Sequence, residues 1–145
     1  MPKIGILTCA NATQDLNCCS GGCFASMKGR QGGFERYKQD EEVELVGIIS
    51  CANCPTLAAY DKILLRVKAL VEFGAEVIHI AYCVDTLCPF KAKYKEAIEK
   101  EFPDLKIVMG THAAKVEPEQ YRAKVKKLLC HPRQSMADIS KGRVK

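Results

Sequence analysis

Apolar residues along the chain fall into four near-continuous runs, separated by segments with helical spacing. Lys3-Ile4-Gly5-Ile6-Leu7-Thr8 and Glu44-Leu45-Val46-Gly47-Ile48-Ile49-Ser50 are rich in β-branched side chains, and residues 76–82 and 106–110 complete the set. The runs do not alternate strictly between apolar and polar positions, which predicts strands covered on both faces. The intervening segments carry the 3.6-residue stripe of helices packed on one side. Tyr60, Ile63, Leu64, Val67, Leu70 and Val71 form the first stripe, with Pro55 suited to its opening turn and Gly74 to its stop. Pro89 is expected to open a second helix bearing Phe90, Tyr94, Ala97 and Ile98, and Glu117-Pro118 a third bearing Tyr121, Val125, Leu128 and Leu129. Gly29, Gly32 and Gly33 interrupt the segment between the first two strands, so residues 23–28 and 34–37 read as short turns.

Strands alternating with helices imply right-handed crossovers and a parallel sheet between helix layers. The expected fold class is therefore α/β: a three-layer sandwich with a four-stranded parallel sheet in the flavodoxin/Rossmann-like order 2-1-3-4. No internal repeat or linker interrupts it. Residues 1–130 read as a single domain and residues 131–145 as a basic C-terminal tail.

The positions of the cysteines add chemistry to this frame. Cys9 follows the first strand, Cys51-Ala52-Asn53-Cys54-Pro55 the second, and Cys83 the third, with Cys88-Pro89 soon after. The fourth run ends in Thr111-His112. Ligands of open parallel sheets bind in the crevice outside the carboxyl ends of the strands. Soft donors placed there strand after strand predict a thiolate-rich metal or redox centre. The loop after the first strand adds Cys18, Cys19 and Cys23 around Gly21-Gly22, whose glycines permit tight turns back over the site.

Strands lie about 4.8 Å apart, so the ends of the second and fourth should be separated by roughly 14 Å. Zinc–sulfur bonds of about 2.3 Å do not bridge that span. Cys9, Cys51 and Cys83, on three neighbouring strands, converge more easily, and Cys54 and Cys88 can lean in. The candidate metal ligands are Cys9, Cys51, Cys54 and Cys83, supported by Cys88, Cys18, Cys23 and His112. His112 is expected beside the substrate or on a second ion. The C-x-x-C is expected at a helix start, where free N–H groups and the helix dipole favour thiolate. His79, mid-strand among apolar residues, reads as a hydrogen-bonded core histidine. Cys130 reads as packing, His131 as a cap or surface residue, and Asp85 as an exposed loop acid.

Composition narrows the classes. Nine cysteines, an odd number, argue against a fully paired disulfide framework. The amino terminus enters a strand directly and lacks the long apolar region of a signal peptide. A cytoplasmic location with reduced thiols is the expectation, which favours metal binding or redox chemistry over disulfides. No apolar stretch approaches the roughly 18 residues of a membrane span. The net charge of +5 is spread over helix faces and the tail, without the basic patch and interleaved aromatics of a nucleic-acid binder. A phosphatase-type C-x5-R is excluded because Asp15 stands where the arginine belongs. Gly29-x-x-Gly32-Gly33 does not follow a strand, so it is neither a P-loop nor a dinucleotide fingerprint.

Taken together these motifs resemble the CGGC-domain family of small bacterial and archaeal proteins. The resemblance spans nearly all of residues 3–112. It rests on Cys9, Cys18, Cys23-Phe24, Gly32, Phe34-Glu35, the strand leading to Cys51 and Cys54-Pro55, Gly74-Ala75-Glu76-Val77-Ile78, Cys83, Cys88-Pro89 and Thr111-His112. The namesake Cys-Gly-Gly-Cys stands here as Cys51-Ala52-Asn53-Cys54, which keeps both thiols and loses both glycines. The resemblance implies metal binding, with zinc as the family's proposed ion, and implies no reaction. An iron–sulfur cluster is the second expectation, since more cysteines crowd this edge than one tetrahedral zinc uses. The alternatives are a metal-free thiol–disulfide oxidoreductase using Cys51 and Cys54, and a metal carrier without catalysis.

Overall fold

A computed structural model describes residues 1–54, 56–130 and 136–143. In chain order its elements are β1 (Lys3–Thr8), α1 (Gly21–Gly29), β2 (Glu44–Ser50), α2 (Ala59–Glu72), β3 (Val77–Ile80), α3 (Tyr82–Leu87), α4 (Lys91–Glu101), β4 (Lys106–Met109), α5 (Pro118–Leu129) and α6 (Met136–Ser140). A π-helical turn at Asn11–Asp15 and a 3-10 turn at Gly32–Phe34 lie between β1 and β2. The strands form one parallel sheet in the order β2-β1-β3-β4. This is the expected α/β topology, with β1 and β3 inside.

Two apolar clusters sandwich the sheet. Leu7 and Cys9 of the β1 region and Ile78 and Ile80 of β3 pack with Ile63, Val67 and Leu70 of α2 and Tyr94 and Ile98 of α4. On the other face Ile4, Ile6, Val77 and Val108 meet Cys23, Phe34 and Tyr37. The alternation of odd and even positions along β1 and β3 follows the two-residue strand period. Full cover on both faces holds for the inner strands. On the edge strand β2 no residue is fully buried, and Ile48 is 38% exposed. No described helix is long and apolar enough to cross a membrane.

Several expected boundaries shift, and the shifts matter for the site. The expected third strand over residues 76–82 shortens to Val77–Ile80, because Tyr82 opens α3. Cys83 is thus the second residue of a helix and Cys88 caps its end. The following helix starts at Lys91 and not at Pro89. α2 starts at Ala59, after Ala58 in a left-handed conformation, so Cys51 and Cys54 sit in a loop before the helix and not at its first turn. Pro55, expected to open that helix, lies outside the described residues, as does His131. The expected turns over residues 23–28 are a continuous nine-residue helix, α1. Leu128 is 61% exposed and does not pack inward. Cys130 is exposed, which removes its packing role. Asp85 is in the first turn of α3 and pairs with Lys91 at 2.9 Å. His79 is a core histidine, fully buried and stacked on Phe34.

The glycine motif between β1 and β2 has a structural task. A Cβ at Gly33 would lie 2.1 Å from the carbonyl oxygen of Gly110, and one at Gly32 2.4 Å from that of Thr111. Gly33 N–H donates to the Thr111 carbonyl at 2.8 Å. Gly32 also has a φ of +57°, which glycine adopts without penalty. Backbone therefore lies directly on backbone here, and the contact fixes the loop carrying Thr111 and His112.

Candidate functional site

The thiols at the carboxyl edge are organised by the first residues after β1. The amide N–H of Cys9 donates to Cys83 Sγ at 3.2 Å, and the next amide, Ala10 N–H, donates to Cys51 Sγ at 3.2 Å. Consecutive amides at the end of the central strand thus each hold a sulfur from a neighbouring element. Cys51 is placed by its own N–H, which continues the ladder to the Thr8 carbonyl. Arg66 of α2 clamps the same strand end, donating to the carbonyls of Ser50 at 2.8 Å and Cys51 at 2.7 Å.

These contacts divide the protons unequally. The Cys9 thiol donates to Cys51, and the Ala10 and Asn53 amides and the Arg66 charge add to that stabilisation, holding Cys51 down at about 5 against burial. Cys9 is pushed up, first because its proton is held in that hydrogen bond and then by burial. The pair therefore shares a proton at neutral pH, with Cys51 its more acidic member. Burial raises Cys83 to about 11, although the Cys9 amide opposes this. Burial also raises Cys54 and Cys88. The thiolate at Cys51 owes nothing to a helix dipole, since α2 begins eight residues later. Its donors are two backbone amides and another thiol.

A cavity of about 220 Å³ collects Cys9, Cys51, Cys54 and Cys88, closed by Val84, Leu87 and Tyr94. A larger hollow of about 550 Å³ adjoins it across Cys54, Phe90 and Tyr94, and includes Tyr60. Tyr60 and Phe90, which the apolar stripes place on packed helix faces, are exposed here. Among the described residues no three His, Cys, Asp or Glu side chains already stand close enough to hold one ion. Cys54 is exposed on its loop, and its position decides whether a fourth sulfur reaches the others.

The remaining candidates lie toward the other face. Cys23, in α1, is buried and donates to Thr111 Oγ1 at 3.2 Å, and the same oxygen accepts from the Tyr82 N–H at 3.1 Å. Cys18 is exposed and accepts from the Ser20 N–H at 3.4 Å, while Cys19 is also exposed. His112 packs at a tilt against Tyr82 with ring centroids 4.6 Å apart and does not line the cysteine cavity. Sequence reasoning missed Thr111, Arg66 and Tyr82. Thr111 was signalled by being a polar residue at a strand end, but the partners of Arg66 are carbonyls that no side-chain motif marks.

Comparison with known proteins agrees with this architecture. The chain is 35% identical over 119 residues to the uncharacterized protein MJ0582 of Methanocaldococcus jannaschii, covering 76% of this chain and 86% of that protein. No solved structure matches. The model of the CGGC domain matches residues 3–112, from the first residue of β1 to the histidine after β4, and the chain belongs to the CGGC-domain family.

Proposed function

We propose that the chain binds a soft metal ion, zinc before an iron–sulfur cluster, with Cys9, Cys51, Cys54 and Cys88 as ligands and Cys83 in reserve. The observation that carries this is the meeting of four cysteines in one small cavity, one of them a thiolate. Thiolate sulfur suits zinc and iron, and a set of four matches the usual closed zinc site. Amide N–H groups directed at sulfur stabilise its negative charge, so Ala10 prepares Cys51 and Cys9 prepares Cys83 before any ion arrives. The loop of Cys54 has to draw in for the set to close. Cys18, Cys23 and His112 belong to a supporting pool on the other side of Cys83. The reading is of a binding protein, with no reaction assigned.

The test is metal analysis and absorption of protein purified without oxygen. Stoichiometric zinc without colour supports zinc, and absorption near 400 nm supports a cluster. Cys51→Ser or Cys54→Ser is expected to lose most of the metal, and Cys130→Ser to keep it. Full occupancy in Cys51→Ser protein, or no metal in the parent, defeats the proposal.

One observation favours a second reading, thiol–disulfide exchange. Cys51 is the more acidic thiol of the pair, and Cys9 lies with it in the same small cavity. In such an exchange Cys51 attacks a disulfide substrate and expels one thiol. Cys9, losing its proton, then attacks the mixed disulfide, expels the second thiol and leaves a Cys9–Cys51 disulfide. The partner is Cys9, where the C-x-x-C spacing alone suggests Cys54. A Cys9–Cys51 disulfide formed by mild oxidant, with alkylation unaffected by chelator, would move the assignment to this chemistry.

A further inference from the structure

The cysteine cavity lies on the sheet face covered by α2 and α4. A second cavity, of about 540 Å³, opens at the carboxyl edge where α1 and α5 approach, and no cysteine lines it. Its walls include Gln31, Tyr82, His112 and Tyr121, with Lys115 and Lys124 beside them. Three rings form a connected cradle: Tyr82 meets His112 at a tilt with centroids 4.6 Å apart, and Tyr121 edge-on at 4.8 Å. None of the lining residues is acidic. Neither lysine forms an ion pair among the described residues.

Tyr82, which is 9% exposed, lines this cavity together with Tyr121, His112 and the two lysines. Its volume falls within the range of roughly 300–1,000 Å³ typical of small-molecule sites. Its place, outside the carboxyl ends of β3 and β4, is where sheets of this kind take ligands.

We propose that this cavity binds a small organic anion with a flat ring, of nucleotide or aromatic-carboxylate kind. The ring lies against Tyr121 and His112 beside Tyr82, and the anionic group meets Lys115 and Lys124. The site shares none of the four cysteines of the proposed metal set, so it stands or falls independently of them.

Calorimetric titration of the full chain with AMP and with 4-hydroxybenzoate tests the proposal. Adenosine and inorganic phosphate serve as the ring-only and charge-only arms. At least one of the two ring-bearing anions is expected to bind below millimolar concentration, and at least about tenfold tighter than either partial ligand. Preference between AMP and 4-hydroxybenzoate identifies the source of the anion. Lys115→Glu combined with Lys124→Glu, and separately Tyr121→Ala, should each weaken binding by about tenfold or more, the scale of one ion contact or one stacked ring. Failure of both anions to bind at millimolar concentration overturns the proposal, as does unchanged affinity in either variant.

Discussion

The unequal sharing of a proton between Cys9 and Cys51 has a measurable signature in the pH dependence of alkylation. An ordinary thiol titrates at 9.0 and Cys51 at about 5. At pH 6 an ordinary thiol is about 0.1% thiolate and Cys51 about 90%, a ratio of roughly 900. A less basic thiolate is also a poorer nucleophile, with a slope of about 0.4–0.5, which across this interval costs roughly 40- to 100-fold. The net advantage at pH 6 is then only about 10- to 20-fold, and by pH 7 it has nearly vanished. A single rate at neutral pH therefore decides nothing, and the shape of the curve does. Reduced, chelator-treated protein should be labelled with iodoacetamide from pH 4 to 9, and Cys51 followed by peptide mass spectrometry. Its rate should be flat above about pH 6, while a small-molecule thiol of ordinary basicity climbs about tenfold per pH unit up to about pH 8. Cys9→Ala removes the first of the donors and leaves Ala10, Asn53 and Arg66. The Cys51 midpoint should then rise by more than about one pH unit. A parent midpoint above about 8, or the same midpoint in Cys9→Ala, would refute the proton assignment.

Three further outcomes concern the frame that holds the site. Gly33→Ala puts a methyl group against the Gly110 carbonyl, 2.1 Å away and fixed in backbone; it should cost at least about 2 kcal/mol in urea denaturation, and a loss under about 0.5 kcal/mol would contradict the contact. His79 donates from Nδ1 to the Gly110 carbonyl at 3.0 Å, so Nε2 accepts from the Tyr37 hydroxyl at 2.8 Å. Tyr37→Phe should cost about 1–3 kcal/mol by leaving that nitrogen unpaired. Burial holds His79 neutral and its pKa below 6.5, so the unfolded chain takes up the proton first. Stability should accordingly decline as pH falls below 6.5, and urea midpoints that stay level from pH 7 to 5 would count against this.

The topology was legible because it depends on features that single residues report. Apolar runs such as 44–50 can only be strands of that length, and Gly74 and Pro118 mark helix ends through backbone chemistry alone. The cysteine row was legible for the same reason, since each thiol follows a run. What escaped was geometry set by contacts distant in sequence. Pro55 invites a helix, yet Ala58 takes a left-handed turn and α2 waits until Ala59. Tyr82 continues an apolar run, but tertiary packing turns it into the start of α3 and moves Cys83 from a loop to a helix. Gly32 and Gly33 looked like a failed phosphate loop because the backbone they accommodate comes from residues 110–113. The choice of Cys51 as the thiolate depends on Ala10, whose amide carries no trace in its side chain.

The span of the contacts at the carboxyl edge bears on how the protein comes off the ribosome. The bond from Ala10 to Cys51 joins residues 41 apart, that from Cys9 to Cys83 joins residues 74 apart, and that from Cys23 to Thr111 joins residues 88 apart. Pairings so distant in sequence are slow to form and come after local structure. During synthesis the early thiols Cys9 and Cys23 emerge long before the distant residues that pack against or hydrogen-bond them. A nascent chain thus exposes a set of unguarded sulfurs until β4 has been made, and the Gly33–Thr111 contact can close only then. The edge is completed late, by the residues that follow the last strand, and chemistry at its thiols before that moment falls on an unfinished protein.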